Sequence, residues 1–91
     1  MNIIRFAFIE AMVIENGSIH RCHLCRAFNI APPTATKIFT EYRKAKPNNL
    51  AFDTSTKAYK KSVNFKQHYL KVDSASFLSS AQIMTIETII Q

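Results

Sequence analysis

Two histidines and two cysteines lie within one short stretch of the chain, at His20, Cys22, His23 and Cys25. These residue types are the usual ligands of tetrahedral zinc. All four nevertheless fall within about one and a half turns of one predicted helix, so their side chains point in different directions. The third histidine, His68, lies far along the chain, and no second ligand pair follows at zinc-finger spacing. We therefore expect no metal site, with Cys25 in the core and Cys22 a partly exposed thiol.

Residues able to catalyse a reaction form no recognisable set in this sequence. The six carboxylates are scattered, and no histidine pairs with an evident nucleophile. A glycine-rich phosphate-binding loop is excluded because the chain contains one glycine. The sequence therefore predicts a protein that is not an enzyme, and we expect neither a cofactor nor a small-molecule ligand.

The net charge favours a polyanionic partner. Twelve lysines and arginines stand against six aspartates and glutamates, which gives a net charge of +6 and a pI near 9.6. Nucleic acid is the first candidate for such a partner, and an anionic membrane surface is the second. Composition alone does not separate the two.

Length and composition indicate one small domain. With 91 residues, 47% of them hydrophobic, the chain can bury one modest core. Two cysteines are too few for a disulfide framework, and no segment has the apolar length of a membrane span. Residues 1–14 are apolar, but Arg5 and Glu10 interrupt them and no signal-peptide cleavage site follows. We expect a cytoplasmic protein with no membrane partner.

Three helices are predicted in the first half of the chain, over residues 3–15, 19–28 and about 32–45. The first follows the helical recurrence of apolar residues, with Glu10 away from the apolar stripe, and ends at Asn16-Gly17 because glycine readily adopts positive φ. Ser18 is the predicted N-cap of the second helix. The third begins at Pro32-Pro33, since proline is tolerated in a first helical turn. Its inward side chains are Ala35, Ile38, Phe39 and Tyr42.

A β-hairpin with a polar tip is predicted after the third helix. Its strands cover residues 50–53 and 57–60, with Thr54-Ser55-Thr56 between them. Phe52 and Tyr59 are expected to pair on its inner face. A last helix is predicted over residues 76–90, with Asp73 or Ser74 as its cap. Its apolar stripe consists of Phe77, Ala81, Met84, Ile86, Ile89 and Ile90.

This order of elements is typical of a winged helix-turn-helix, an α+β fold that is mostly α, with a β-hairpin wing and here a C-terminal helix. The third helix of such a fold lies in the major groove, and the wing meets phosphates. We expect Lys37 to contact a base or a phosphate, and the threonines to contact phosphates. The candidate DNA-binding residues are Thr34, Thr36, Lys37, Thr40 and Arg43 on the third helix, and Lys57, Lys60 and Lys61 on the wing.

An ordered series of short motifs carries a family resemblance over roughly residues 5–70. The series comprises Arg5, Phe8-Ile9-Glu10, Gly17-Ser18-Ile19-His20-Arg21, Leu24, Phe28-Asn29-Ile30, Ala35-Thr36, Tyr42-Arg43, residues 47–53, Lys57-Ala58-Tyr59 and Phe65. It resembles the N-terminal winged-helix domain of bacterial WYL-domain transcription regulators, of the kind found beside phage-defence systems. The resemblance implies a sequence-specific DNA-binding transcription regulator, and we expect this one to be a repressor.

Three features depart from that family. Its members continue into a ligand-sensing WYL domain and a dimerisation region, so we expect this chain of 91 residues to act without the sensing part. Asn29-Ile30-Ala31 replaces the usual glycine, hydrophobic residue and serine of the turn, so the hydroxyl that caps the third helix is missing. Pro32 and Pro33 occupy positions that often contact bases, where proline offers only apolar contact, for example to a thymine methyl group.

We divide the chain into a winged helix-turn-helix DNA-binding domain at residues 1–70 and a C-terminal helical extension at residues 71–91. The extension could fold back on the core or form a two-fold contact. We expect a homodimer, because a domain this small has limited room to bury another long helix. Two functions remain open: a stand-alone repressor that binds double-stranded DNA, and a protein-interaction module that binds or antagonises a larger regulator or defence component.

Overall fold

A computed structural model describes residues 3–79, which form four helices and one three-stranded antiparallel sheet. In chain order the elements are α1 (Ile3–Asn16), β1 (Ser18–Ile19), α2 (Arg21–Phe28), α3 (Pro32–Ala45), β2 (Leu50–Asp53), β3 (Ala58–Lys61) and α4 (Ser74–Ser79). The predicted fold class is confirmed: the chain is mostly α, and a β-hairpin follows the helix-turn-helix formed by α2 and α3. The predicted bounds of α1, α3 and β2 agree with the structure to within one residue.

α1 is the central helix of the core, and it is buried on more than one side. Among the apolar residues that recur at the helical period, Phe8, Ile9 and Val13 are buried, whereas Ile4 and Met12 are half-buried. Gly17 ends the helix with a φ of +80°, as expected of a lone glycine at a helix C-terminus. The complete buried set of α1 is Phe6, Ala7, Phe8, Ile9, Glu10, Ala11 and Val13.

The prediction that Ser18 caps a helix starting at residue 19 is wrong. Ser18 and Ile19 form the short strand β1, which pairs with β3 so that Ile19 lies opposite Tyr59. The partner strand lies far along the chain, so no local sequence pattern predicts this pairing. α2 begins at Arg21 instead, with His20 as its N-cap and a hydrogen bond of 3.0 Å from the His20 N–H to Nδ1 of His23.

The turn between α2 and α3 shows how this sequence compensates for a missing glycine and serine. Asn29 adopts the left-handed conformation with a φ of 54°, which asparagine tolerates better than most residues. Ala31 is the N-cap of α3 and makes no side-chain capping bond, as the sequence predicted. Pro32 and Pro33 occupy the first positions of the helix, where an amide donor would have no intrahelical partner.

The hairpin forms with the predicted cross-strand pair, but Phe52 is exposed, so its placement on an inner face is wrong. Phe52 lies opposite Tyr59, with ring centroids 4.9 Å apart, and the sheet order is β1-β3-β2. The second strand begins one residue later than predicted, because Lys57 takes a φ of 62° and closes the turn with a 2.7 Å bond from its N–H to the Asp53 carbonyl. Tyr59 also stacks on the buried ring of Phe39 at 4.1 Å, which attaches the wing to α3.

Glu10 is fully buried, although the sequence placed it away from the apolar face of α1. Its Oε1 accepts hydrogen bonds of 3.0, 2.8 and 2.8 Å from the backbone N–H groups of residues 68, 69 and 70. Its Oε2 accepts a 2.9 Å bond from the hydroxyl of Tyr42 on α3. Burial is the main cause that raises the pKa of Tyr42, so this hydroxyl remains a donor at neutral pH.

Asn49 extends this buried network to the wing. Its Nδ2 donates to the Tyr42 hydroxyl oxygen and to the Lys66 carbonyl, both at 2.9 Å, and its Oδ1 accepts from the Lys66 N–H at 3.0 Å. Asn49 directly precedes β2, and Lys66 lies in the segment that leaves β3. One chain of hydrogen bonds therefore connects α1, α3, the start of the wing and the segment that follows it.

α4 packs against α1 as far as it is described. Of the two predicted caps, Asp73 or Ser74, it is Asp73 that caps the helix, because its Oδ2 accepts a 3.0 Å bond from the Ser76 N–H. Phe77 and Leu78 are half-buried against the core of their own chain. The helix starts at Ser74 rather than at residue 76, and the rest of the predicted apolar stripe, from Ala81 onward, lies outside the described residues.

We expect Glu10→Gln to destabilise the domain by about 2–3 kcal/mol, since it weakens charge-assisted bonds and points an amide N–H₂ at groups that are themselves donors. Urea unfolding followed by circular dichroism measures this free energy. Glu15→Gln is the matched control, because Glu15 is exposed and glutamine keeps an oxygen that can accept its bond from the Ser74 hydroxyl. Equal destabilisation by the two substitutions would contradict the role assigned to Glu10.

Candidate nucleic-acid interface

The exposed side of α3 brings together five of the residues predicted to contact DNA. The opposite side of the helix is fixed in the core by Ala35, Ile38, Phe39 and Tyr42. Helical periodicity therefore turns the intervening polar residues outward. The exposed set is Thr34, Thr36, Lys37, Thr40 and Arg43.

Hydrogen bonds within the protein already engage two of these threonines. The Thr36 hydroxyl oxygen accepts a 3.1 Å bond from Nη1 of Arg21 on α2. The Thr40 hydroxyl donates at 3.0 Å to the Thr36 carbonyl in the preceding turn of α3. Because each hydroxyl offers one donor and two lone pairs, the Thr36 hydroxyl retains its proton for a ligand, whereas Thr40 has only acceptor capacity left.

Arg43 lies toward the wing. Its guanidinium is 5.8 Å from the centroid of the Tyr59 ring, within range of a cation–π contact. This contact joins the C-terminal half of α3 to β3. Lys37, in contrast, is exposed one turn after the N-terminus of the helix, where side chains of a recognition helix reach base edges.

The three wing lysines are in different electrostatic environments. Lys60 forms a 3.0 Å salt bridge with Asp53 across the hairpin. The hydrogen bond from Lys60 is the first cause that lowers the pKa of the Asp53 carboxyl to about 2, so part of the positive charge of Lys60 is compensated at neutral pH. Lys57 lies at the hairpin tip and Lys61 at the end of β3, and both are exposed.

Positive charge is concentrated in the segment that contains α3 and the wing. Residues 32–61 hold seven of the twelve basic residues and two of the six acidic ones. One of these two, Asp53, is the partner of Lys60. Outside the segment, Glu10 is enclosed in the core, so its charge faces backbone donors rather than solvent. The exposed face of α3 and the wing is therefore the side of this chain suited to a polyanion.

Arg21 belongs to this surface, and sequence analysis did not include it among the DNA-binding residues. It is exposed at the first position of α2 and reaches the Thr36 hydroxyl on α3. It also lines a groove between α2 and the wing. The sequence contained no local signal for this placement, because the contact joins residues of two helices and depends on how those helices cross.

The histidines and cysteines of α2 do not assemble a metal site in the described part of the chain. Cys22 is an exposed free thiol, as the sequence predicted, whereas Cys25 is half-buried against the core rather than within it. Burial, together with the charges of His20 and Arg26, lowers the pKa of His23, whose Nδ1 acts as a hydrogen-bond acceptor at the N-cap. Across residues 3–79 no group of three potential ligands is close enough to hold a metal ion.

No helix within residues 3–79 has both the length and the apolar character needed to cross a lipid bilayer.

Comparison with known proteins gives one family and several relatives. Residues 2–83 match the model of the BrxR transcriptional regulator winged helix-turn-helix domain. The DNA-binding transcriptional repressor CapW of Escherichia coli (strain KTE188) is 29% identical over 83 residues, which cover 91% of this chain and 28% of that protein. CapW of Pseudomonas aeruginosa is 36% identical over 62 residues, which cover 68% of this chain and 21% of that protein. The chain thus spans less than a third of the length of these relatives, and the family resemblance found in the sequence is confirmed.

We expect Lys60→Ala to raise the pKa of Asp53 from about 2 toward its ordinary value of 3.8, because the main hydrogen bond to the carboxylate is lost. The carboxyl carbon shift in an NMR pH titration measures this change. Because the Asp53 pKa is lower in the folded chain than in the unfolded chain, ionisation of Asp53 stabilises the fold. This stabilisation is fully present above pH 3.8 and is lost as the pH falls through about 2. Lys61→Ala, one residue away, should leave the titration unchanged, and a similar shift in both variants would contradict a specific pair.

Proposed function

The chain belongs to the BrxR transcriptional regulator winged helix-turn-helix domain family, and on this premise we propose that it is a sequence-specific DNA-binding transcriptional regulator that acts as a repressor. The observation that carries the proposal is the exposed face of α3 beside a basic wing, in a segment that holds most of the positive charge. The names of the E. coli and P. aeruginosa relatives, both DNA-binding transcriptional repressors, support the same function.

In the proposed complex α3 lies in the major groove and the wing follows the adjacent phosphates. Lys37 is the residue proposed to contact a base edge, where a lysine donates to the O6 or N7 of guanine. Pro32 and Pro33 offer only apolar contact at the start of the helix. Thr34 is proposed to contact a phosphate, because hydroxyls fix the register of a protein on DNA more than they select its sequence.

Binding alone accounts for this function, and no chemical step is proposed. A repressor needs only to occupy its operator and exclude another protein from it. Double-stranded DNA is therefore the proposed partner, and neither a cofactor nor a small-molecule ligand enters the proposal.

Two substitutions separate sequence selection from phosphate attraction. Lys37→Ala should cost about 1–3 kcal/mol on the specific site and much less on random DNA, because a base contact is lost. Lys57→Asn should weaken binding to both about equally and make the slope of log K against log salt shallower by about one unit. Asparagine is chosen because it tolerates the left-handed backbone at position 57. Fluorescence anisotropy measures the affinity for the specific site with the upstream DNA of the gene, and the affinity for random DNA with a scrambled duplex.

Lys71→Ala is the control for these measurements, since Lys71 is exposed but lies on neither α3 nor the wing. Identical effects of Lys37→Ala on both duplexes would assign that lysine to a phosphate and leave selection to DNA shape. A wild-type chain that binds no duplex at low salt and co-purifies with another protein would overturn the proposed function in favour of a protein-interaction module.

We also propose that the regulator binds DNA as a homodimer, with residues 71–91 as the dimerisation extension of the domain at residues 1–70. The apolar residues of the C-terminal sequence support this proposal, since a two-fold protein matches a palindromic operator. Phe77 and Leu78 pack on their own core, so the substitutions that test the dimer are placed beyond them.

Replacing Ile86 and Ile89 together by serine is expected to convert a dimer to a monomer, because the proposed contact loses two apolar side chains. Sedimentation equilibrium measures the mass. Replacing Thr85 and Thr88 by serine on the same segment serves as the control and should leave the dimer intact. An unaltered chain that stays monomeric at high micromolar concentration would contradict the dimer.

A further inference from the structure

A groove of about 600 Å³ separates the start of α2 from the wing. Arg21 and Lys57 line its two sides, Thr36 lies where it meets α3, and Phe52 and Tyr59 form an aromatic wall. Both charged residues of this lining are cations, and none of the described residues that line it is acidic. The lining, which His20 and Cys22 complete, is therefore suited to an anion with an apolar portion.

Arg21 is held in position for such a ligand. Its Nη1 donates at 3.1 Å to the Thr36 hydroxyl, which restrains the long side chain between two helices. A guanidinium carries five N–H donors in a planar fork, so most of them remain available after this one bond. The fork matches two oxygens of a phosphate, and restraint before binding reduces the entropy lost when the ligand arrives.

The aromatic wall is suited to the deoxyribose, which is the apolar part of the nucleotide backbone. Phe52 is 39% exposed, a large fraction for a phenylalanine on a strand, and its ring rests 4.9 Å from that of Tyr59. Tyr59 is fixed in turn by stacking on Phe39 at 4.1 Å. The two ring faces of this wall are apolar, and they lie within the same groove as both cations. The carbon face of a deoxyribose can pack on it while the neighbouring phosphate meets the cations.

We propose that this groove binds one phosphate of a DNA strand through Arg21 and Lys57, with the adjoining deoxyribose against Phe52. The inference rests on the proposed function and adds a backbone site that links α2 to the wing. Thr36 acts here as a positioning residue, because it orients Arg21. A strand seated in this groove passes between α3 and the wing, which fixes the register in which α3 meets the bases.

Arg21→Ala should lower affinity for duplex DNA about ten- to hundredfold at low salt, as expected for the loss of a charge-assisted bond to one phosphate. The salt slope should become shallower by about one unit. Phosphate-ethylation interference locates the contact: the wild type should be sensitive at a phosphate where the variant is not. Arg26→Ala is the matched control, because Arg26 is an exposed arginine of the same helix that lines a different concavity beside Phe8 and Met12.

Two further variants test the parts of the site. Phe52→Ser should weaken binding without changing the salt slope, because an apolar sugar contact releases no counterions. Thr36→Val should weaken binding less than Arg21→Ala, Thr36→Ser should restore it, and the Arg21→Ala, Thr36→Val double variant should bind no worse than Arg21→Ala alone. Thermal unfolding of each variant, compared with the wild type, identifies any loss that comes from misfolding.

The results distinguish this inference from the function on which it rests. If Arg21→Ala and Arg26→Ala weaken binding equally and leave the same interference pattern, Arg21 adds only general charge and the groove is not a site, while the proposed function stands. A different outcome is that inorganic phosphate alone stabilises only the wild type, while the wild type and the Arg21→Ala variant give the same ethylation-interference pattern on DNA. That result would assign the groove to a free anion and would overturn the DNA site. Absence of any duplex binding by the wild type would remove both proposals.

Discussion

Glu10 lies at the centre of α1 without solvent exposure, and four donors from two parts of the chain, α3 and residues 68–70, converge on it. A buried carboxylate is costly unless its oxygens accept hydrogen bonds, so the fold must bring Tyr42 and the backbone of residues 68–70 to it. These requirements fix the position of α3 and of the segment after the wing relative to α1. The apolar core stabilises the domain, and this network specifies one arrangement of its helices.

The same network extends to the surface proposed to bind DNA. Tyr42 joins α3 to Glu10, and Asn49 joins Tyr42 to the start of β2 and to Lys66. On the other side of α3, Phe39 stacks on Tyr59 of the wing. α3 and the wing are thus joined to each other and to α1 by directional contacts. A helix held in this way presents its exposed residues in one orientation, which reduces the entropy lost on binding.

The positive charge of the exposed face of α3 depends on where the acidic residues Glu10 and Asp53 are placed. Glu10 is turned into the core, and Asp53 is paired across the hairpin with Lys60. Neither presents an isolated negative charge to a ligand on the exposed face of α3. The groove beside Arg21 gains its anion preference in the same way, from cations on two elements and from the absence of acidic residues among the described residues that line it.

The sequence by itself determined the elements that depend on local physical chemistry. Pro32 and Pro33 start α3, Gly17 ends α1, and a polar turn between two short runs produces the hairpin. The outward face of α3, and with it the candidates from Thr34 to Arg43, also followed from helical period alone. Each of these features depends on interactions between residues only a few positions apart, so it can be predicted from the sequence without the tertiary structure.

Only the tertiary structure decided the features that join distant residues. Ser18 and Ile19 form a strand because β3 supplies the partner, although Ser18 is locally a good helix cap. Glu10 is buried because donors from α3 and from residues 68–70 reach it, and a helical wheel contains no information about them. Arg21 reaches Thr36 because α2 crosses α3 at that point. The physical reason is common to all three: hydrogen bonding and burial are decided by which groups meet in space.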